Sequence, residues 1–108
     1  MKKITIITPT YNRAKTLPKV FESLLKQSFK DFIWIILDDG STDNTTEIVE
    51  NFQLFNPFFE IIYKKDKNRH KFLTVLEGVK MVKTPYFMVL DSDDAYPEDA
   101  LENLISEV

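Results

Sequence analysis

The chain contains no cysteine. Disulfide staples, thiolate nucleophiles and cysteine-held zinc are excluded together, and a reducing cytosol is a compatible setting. Histidine occurs once, at His70, which argues against a zinc centre and leaves no Ser-His-Asp or Cys-His arrangement for nucleophilic catalysis. His70 is assigned no role. With only two glycines there is no phosphate-cradling Gly-rich loop. Two glycines and five prolines also argue against a long linker or a low-complexity tail. The longest unbroken apolar run, Phe32 to Leu37, falls far short of the roughly 20 residues that span a bilayer. The run after the first lysines is too short for a signal sequence. A net charge of −3 gives no general attraction to nucleic acid or to anionic lipid.

What remains is a composition suited to packing: 44% hydrophobic, 29% charged and 13% aromatic over 108 residues. That is the size of a single domain with a modest core. Residues 3–8, KITIIT, read as a buried strand that breaks at Pro9. A polar loop, Thr10 to Arg13, leads to a helix with Thr16 as N-cap, Pro18 in its first turn, and Leu17, Val20, Phe21, Leu24 and Leu25 as its apolar stripe. Residues 32–37, FIWIIL, form a central strand that ends at Asp38, Asp39 and Gly40. The run Ser41 to Asn44 supplies N-cap formers for a second helix, with Glu47 in its first turn and Ile48, Val49, Phe52 and Phe55 facing inward.

Asn56-Pro57 turns the chain into a third strand over 58–63. A basic loop over 64–71 precedes a third helix carrying Phe72, Val75, Leu76, Val79 and Val82 on one side. Gly78 within it permits close approach of a neighbour. Thr84-Pro85 stops that helix. Residues 86–90 then form a fourth strand, apolar throughout and expected to be buried on both faces. The last helix starts near Pro97, with Leu101, Leu104, Ile105 and Val108 as its stripe. That stripe reaches Val108 without a stop signal, which predicts further chain beyond it.

Four alternations of strand and helix predict a Rossmann-like open parallel sheet with helices on both faces. Such sheets bind ligands outside the carboxyl ends of their strands, where the strand order reverses. The polar clusters fall at those ends: Pro9 to Arg13, then Asp38-Asp39-Gly40, then Asp91-Ser92-Asp93-Asp94. If the first and fourth strands flank the switch point, all three clusters meet in one crevice. Carboxylates gathered there repel one another, and a hard divalent cation resolves the conflict. Asp91 and Asp93, at i and i+2 of an extended end, can face the same side. Of Asp38 and Asp39, one is expected to face ligand and the other backbone amides or solvent. Tyr11 is a candidate for stacking on a base, and Arg13, Arg69 and Lys71 are candidate phosphate partners. The competing reading is an α/β interaction domain in which the acidic segments only end strands and cap helices.

PTYNR after the first strand, DDGSTDNT after the second, and LDSDD followed by a Pro-initiated helix together resemble the nucleotide-binding half of family-2 glycosyltransferases, of the GT-A fold. The resemblance runs over nearly all of the chain. It implies a nucleotide-diphosphate sugar donor, often a UDP-sugar, and Mn²⁺ or Mg²⁺ held by an Asp-x-Asp motif. It also implies transfer to a saccharide or lipid-linked hydroxyl acceptor, with inversion at the anomeric carbon. On this resemblance Pro9, Tyr11 and Arg13 border the nucleoside, and Asp39 reads the base with Asp38 beside it. Asp91 lies on the ribose side with Ser92 next to it, Asp93 on the metal side, and Asp94 assists either. Arg69 and Lys71 fall where family members often carry an Asn-and-Gly-rich segment that contacts the nucleotide. Here KNRHKFLTVLEG has most of those glycines replaced. The catalytic base is expected beyond Val108, so these 108 residues are expected to bind donor and metal without efficient transfer. A binding module without an acceptor half fits the same motifs.

Overall fold

The structure, a computed structural model, describes residues 3–66 and 71–106, with backbone only for 71–73. Strand and helix alternate as the sequence predicts: β1 (Ile4–Thr10), α1 (Leu17–Leu25), β2 (Phe32–Asp38), α2 (Thr45–Phe55), β3 (Glu60–Lys65), α3 (Lys71–Met81), β4 (Tyr86–Val89) and α4 (Ala100–Ser106). The strands form one sheet in the order β3-β2-β1-β4, every pair parallel. β1 is therefore the switch point. The chain moves from β1 to β2 to β3 in one direction, then returns across the sheet to β4 on the other side of β1.

Side-chain alternation divides the core into two layers. Ile4 and Ile6 of β1 join Phe32, Trp34 and Ile36 of β2 on one face, covered by Leu17, Val20 and Leu24 of α1, Val49 and Phe52 of α2, and Leu101 of α4. Rings fill that layer: Phe21 stacks on Phe52 with centroids 4.2 Å apart, and Phe32 lies 4.4 Å from Phe59. Trp34 is wholly buried, and its indole N–H donates to Thr8 Oγ1 at 2.8 Å, so its burial strands no donor. On the other face Ile7, Ile35 and Leu37 pack with Val79 and Met81 of α3. A crossover that reverses direction must use the opposite face if it is to stay right-handed, and α3 does so.

Pro9 lies inside β1 rather than ending it. Leu90 N–H donates to Ile7 C=O and Tyr86 N–H to Lys3 C=O, whereas Asp39 N–H donates to Thr10 C=O. Odd residues of β1 thus bond toward β4 and even ones toward β2. The nitrogen of Pro9 faces the β4 side, past the last paired residue Val89, so its missing N–H removes no ladder bond.

Other expectations shift. β3 begins at Glu60 because Asn56 occupies the backbone before it: Phe58 N–H donates to Asn56 Oδ1 at 2.9 Å, and Asn56 Nδ2 donates to Phe59 C=O. Phe58 is left exposed, with the Lys30 ammonium 5.8 Å above its ring. Phe55 is 74% exposed at the end of α2 and does not join the inner face, and Leu76 and Leu104 are also exposed. β4 is an edge strand among the described residues, and Tyr86, Phe87 and Val89 are each more than 40% exposed. The expectation that it is buried on both faces does not hold here. α4 starts three residues after Pro97, and Val108 lies outside the described residues. Gln27 ties α4 to α1: its buried amide donates to Pro97 C=O at 2.7 Å and accepts from Leu101 N–H at 3.1 Å.

Gly78 behaves as anticipated. A Cβ placed there would lie 2.8 Å from both Ile7 Cγ2 and Leu37 Cδ1, so α3 sits directly on the sheet. Gly78→Ala gains helix propensity of about 1 kcal/mol but overpacks this contact, at a cost of about 1–3 kcal/mol. We expect a net loss of stability in urea titration. A variant more stable than the parent would contradict the contact.

Candidate functional site

The loops that leave β1, β2 and β4 emerge at one edge of the sheet and enclose a cleft of about 310 Å³. Its lining comprises Pro9 and Thr10 at the end of β1, Tyr11 and Arg13 from the loop after it, Asp39 from the loop after β2, Asp91, Ser92 and Asp93 from the loop after β4, and Thr74 from α3. Asp39 and Asp93 therefore open onto one space. Among the described lining residues, three carboxylates share the cleft with one guanidinium, and carboxylate oxygens so gathered are natural ligands for a hard divalent cation.

The neighbouring aspartates divide as strand alternation requires. Asp38, the last residue of β2, is 2% exposed and points to the α2 side with Trp34 and Ile36. Its Oδ1 accepts Ser41 N–H at 2.8 Å, and its Oδ2 accepts the Tyr63 hydroxyl, which also contacts Thr46 Oγ1 at 2.8 Å. Burial first, and then the bond to Asp38, push the Tyr63 phenol far above its ordinary range, so it remains a donor. Asp38 is thus a support of the loop and does not line the cleft, contrary to its reading as a nucleotide contact. Asp39 is the member that faces the cleft.

Oxygens of Asp91, Asp93 and Asp94 all lie within 4.8 Å of one another, with Asp91 half-buried and the other two exposed. Two oxygens bound to one Mg²⁺ or Mn²⁺ stand up to about 4.2 Å apart, each about 2.1 Å from the ion. This all-oxygen cluster fits such a cation with small side-chain adjustments. Beside it, the Tyr96 phenol is pushed up to about 12, first by burial and then by the charge of Asp94. It therefore adds no negative charge near neutral pH.

Tyr11 lines the cleft and is 44% exposed. Arg69 lies outside the described residues, and of Lys71 only the backbone at the start of α3 is described. Thr74, Thr10 and Asn12 were not singled out from the sequence. Thr74 lies one helical turn into α3, and nothing in its local sequence marks it. Asn12 carries a visible signal, an asparagine in a loop, where the left-handed backbone is tolerated.

The sequence pattern described as Glycosyl transferase family 2 matches residues 5–108. Glycosyltransferase GlyG of Streptococcus pneumoniae is 31% identical over 97% of this chain and 35% of its own length. Poly(ribitol-phosphate) beta-N-acetylglucosaminyltransferase TarP of Staphylococcus aureus is 35% identical over 96% and 32%. The Campylobacter jejuni GalNAc(5)-diNAcBac-PP-undecaprenol beta-1,3-glucosyltransferase is 32% identical over 99% and 35%. Among solved structures, S. aureus TarS residues 1–349 in complex with UDP superposes with a TM-score of 0.88 at 27% identity, over 96% of this chain and 31% of that one. The chain spans about a third of the length of these relatives.

Asp43 sits where the second loop enters α2. Burial opposes its charge, but the Thr45 hydroxyl and the N–H groups of Thr45 and Ala14 outweigh burial and hold its carboxyl below the usual range. A depressed folded value means stabilisation that is present above the unfolded pKa of about 4 and lost as pH falls through the folded one. Asp43→Asn should lower the urea midpoint at pH 6, and the gap from the parent should close below about pH 4. A gap that persists unchanged at pH 2.5 would contradict the assignment.

Proposed function

Because the chain belongs to glycosyl transferase family 2, we propose that it forms the donor-binding part of a metal-dependent enzyme that transfers a sugar from a UDP-sugar, with inversion, to a saccharide or lipid-linked hydroxyl. The observation that carries this reading is the shared cleft, where Asp39 meets Asp91 and Asp93. The UDP complex of the TarS structure supports the nucleotide. The undecaprenol in the Campylobacter relative's name supports a lipid-linked acceptor, with the work done in the cytoplasm against a membrane's inner face.

Each residue then has a chemical task. The Asp39 carboxylate accepts a ring N–H of the base, and a base lacking that donor forgoes the bond. Tyr11 offers a ring face for stacking, with Pro9 beside it. The Arg13 guanidinium pairs with phosphate oxygens. Asp91 accepts from ribose hydroxyls and, with Asp93 and Asp94, supplies the oxygens that would hold Mn²⁺ or Mg²⁺. When bound, such an ion neutralises the diphosphate and stabilises it as a leaving group. The carboxylate that deprotonates the acceptor is assigned to sequence beyond Val108.

Calorimetric titration of the chain with UDP, GDP, dTDP and CDP, each with and without Mn²⁺, tests this. UDP should bind best, and Mn²⁺ should tighten it. Asp93→Asn should abolish that gain, and Asp39→Ala should weaken UDP about tenfold or more, since hydrogen bonds to charged groups contribute about 1.5–3 kcal/mol. Metal-independent binding, or equal binding by Asp93→Asn, would favour acidic segments that only cap helices. The chain alone should hydrolyse or transfer little sugar. Robust turnover by it would place the base among residues already in hand.

A further inference from the structure

Asn12 lies between two cleft-lining residues, Tyr11 and Arg13, yet it does not itself line the cleft. Its backbone takes the left-handed conformation, φ 52°, which asparagine tolerates better than most residues. From there it reaches across to the second loop. Its N–H donates to Ser41 Oγ at 2.8 Å, and its Oδ1 accepts Thr42 N–H at 2.8 Å, Asp43 N–H at 3.2 Å and the Thr42 hydroxyl at 3.4 Å. One side chain thereby bridges the loop of Tyr11 and Arg13 to the loop of Asp39.

The connection continues toward the acidic loop. The carbonyl of Arg13 accepts Thr16 N–H at 3.1 Å and Leu17 N–H at 3.0 Å. Thr16 stands at the N-cap position of α1 but makes no side-chain cap bond. Its hydroxyl instead donates to Ser92 C=O at 2.7 Å. An unbroken strap therefore runs from Thr42 and Asp43, through Asn12, Arg13 and Thr16, to Ser92. It joins the two carboxylate-bearing loops by a route separate from the sheet.

We infer that Asn12 and Thr16 are positioning residues, which set the spacing between Asp39 and the Asp91–Asp93 pair so that one nucleotide engages both ends of the cleft. The inference rests on reading the cleft as the nucleotide site. Asn12 acts at the base end and Thr16 at the metal end. Their loss therefore has separable effects, which a purely structural role would not produce.

Three variants resolve it. Asn12→Gly keeps the left-handed backbone and removes the acceptor, whereas Asn12→Asp keeps both. Thr16→Val keeps the shape and removes the hydroxyl. With UDP as probe, Asn12→Gly should weaken binding about three- to tenfold with or without Mn²⁺, the loss expected for about one net hydrogen bond. Asn12→Asp should recover most of that loss. Thr16→Val should shrink the factor by which Mn²⁺ tightens UDP, and leave metal-free affinity within about twofold. Amide exchange of Thr42 and Asp43 should quicken in Asn12→Gly alone, which confirms that the fold persists while the strap opens. If the parent chain binds UDP but both Asn12→Gly and Thr16→Val bind like it, or if Asn12→Asp is as weak as Asn12→Gly, the strap has no positioning role. If the parent chain itself fails to bind UDP with or without Mn²⁺, the reading of the cleft falls and the inference falls with it.

Discussion

Pairing of β4 with β1 is the constraint on which the rest depends. Ile4 to Ile7 lie in register with Tyr86 to Val89, and the next bond, Leu90 N–H to Ile7 C=O, delivers Asp91 beside the loop that follows Pro9. Had β4 instead added to the outer edge of β3, it would stand three strand spacings from β1, about 14 Å away. The acidic loop would then share no cleft with Tyr11 and Arg13. The return crossover is held by α3, whose Gly78 lets the helix rest against Ile7 and Leu37. A packing contact on the far face thus supports the arrangement of carboxylates at the sheet's end.

Electrostatics complete what topology begins. A buried, unpaired Asp38 would be costly, and the fold satisfies it with Ser41 N–H and the Tyr63 hydroxyl. Its neighbour Asp39 lines the cleft. Tyr63 pairs in register with Ile36, so it shares the face toward which Asp38 points. The second loop is then anchored from three sides, by Asp38 below, by Asp43 at the entry to α2 and by Asn12 across the gap. Tyr11, Arg13, Asp39, Asp91, Ser92 and Asp93 of the cleft stand outside the regular elements. They stand on loops that hydrogen bonds hold in place.

The sheet and its switch point were legible because four apolar runs alternate with amphipathic stretches, and the polar clusters all follow strands. The cleft was legible from Pro9, Tyr11, Arg13, Asp39, Asp91, Ser92 and Asp93 for the same reason. What escaped was contact at a distance. Nothing local in Thr74 or Thr16 shows that one lines the cleft and the other bonds to Ser92. Periodicity assigned Phe55 to an inner face, but the last turn of α2 leaves that ring exposed. The apolar run of β4 suggested a strand buried on both faces, whereas Tyr86, Phe87 and Val89 are exposed on an edge strand among the described residues. The Asp38-Asp39 pair shows the limit well. Alternation predicts opposite directions and the resemblance named Asp39 as the base reader, but only the bonds of Asp38 to Ser41 and Tyr63 show that Asp38 does not join it.

The central claim is that three loops serve a single nucleotide and a single cation. Paramagnetic broadening of backbone amide signals tests it directly, with Mn²⁺ added to the chain first alone and then with UDP. The account predicts broadening centred on Asp91 to Asp94, together with UDP-induced shifts at Tyr11, Arg13 and Asp39. Added UDP should also strengthen the broadening at Asp91 to Asp94. Broadening spread over unrelated surface carboxylates, with UDP shifts confined to residues remote from Asp39, would contradict it.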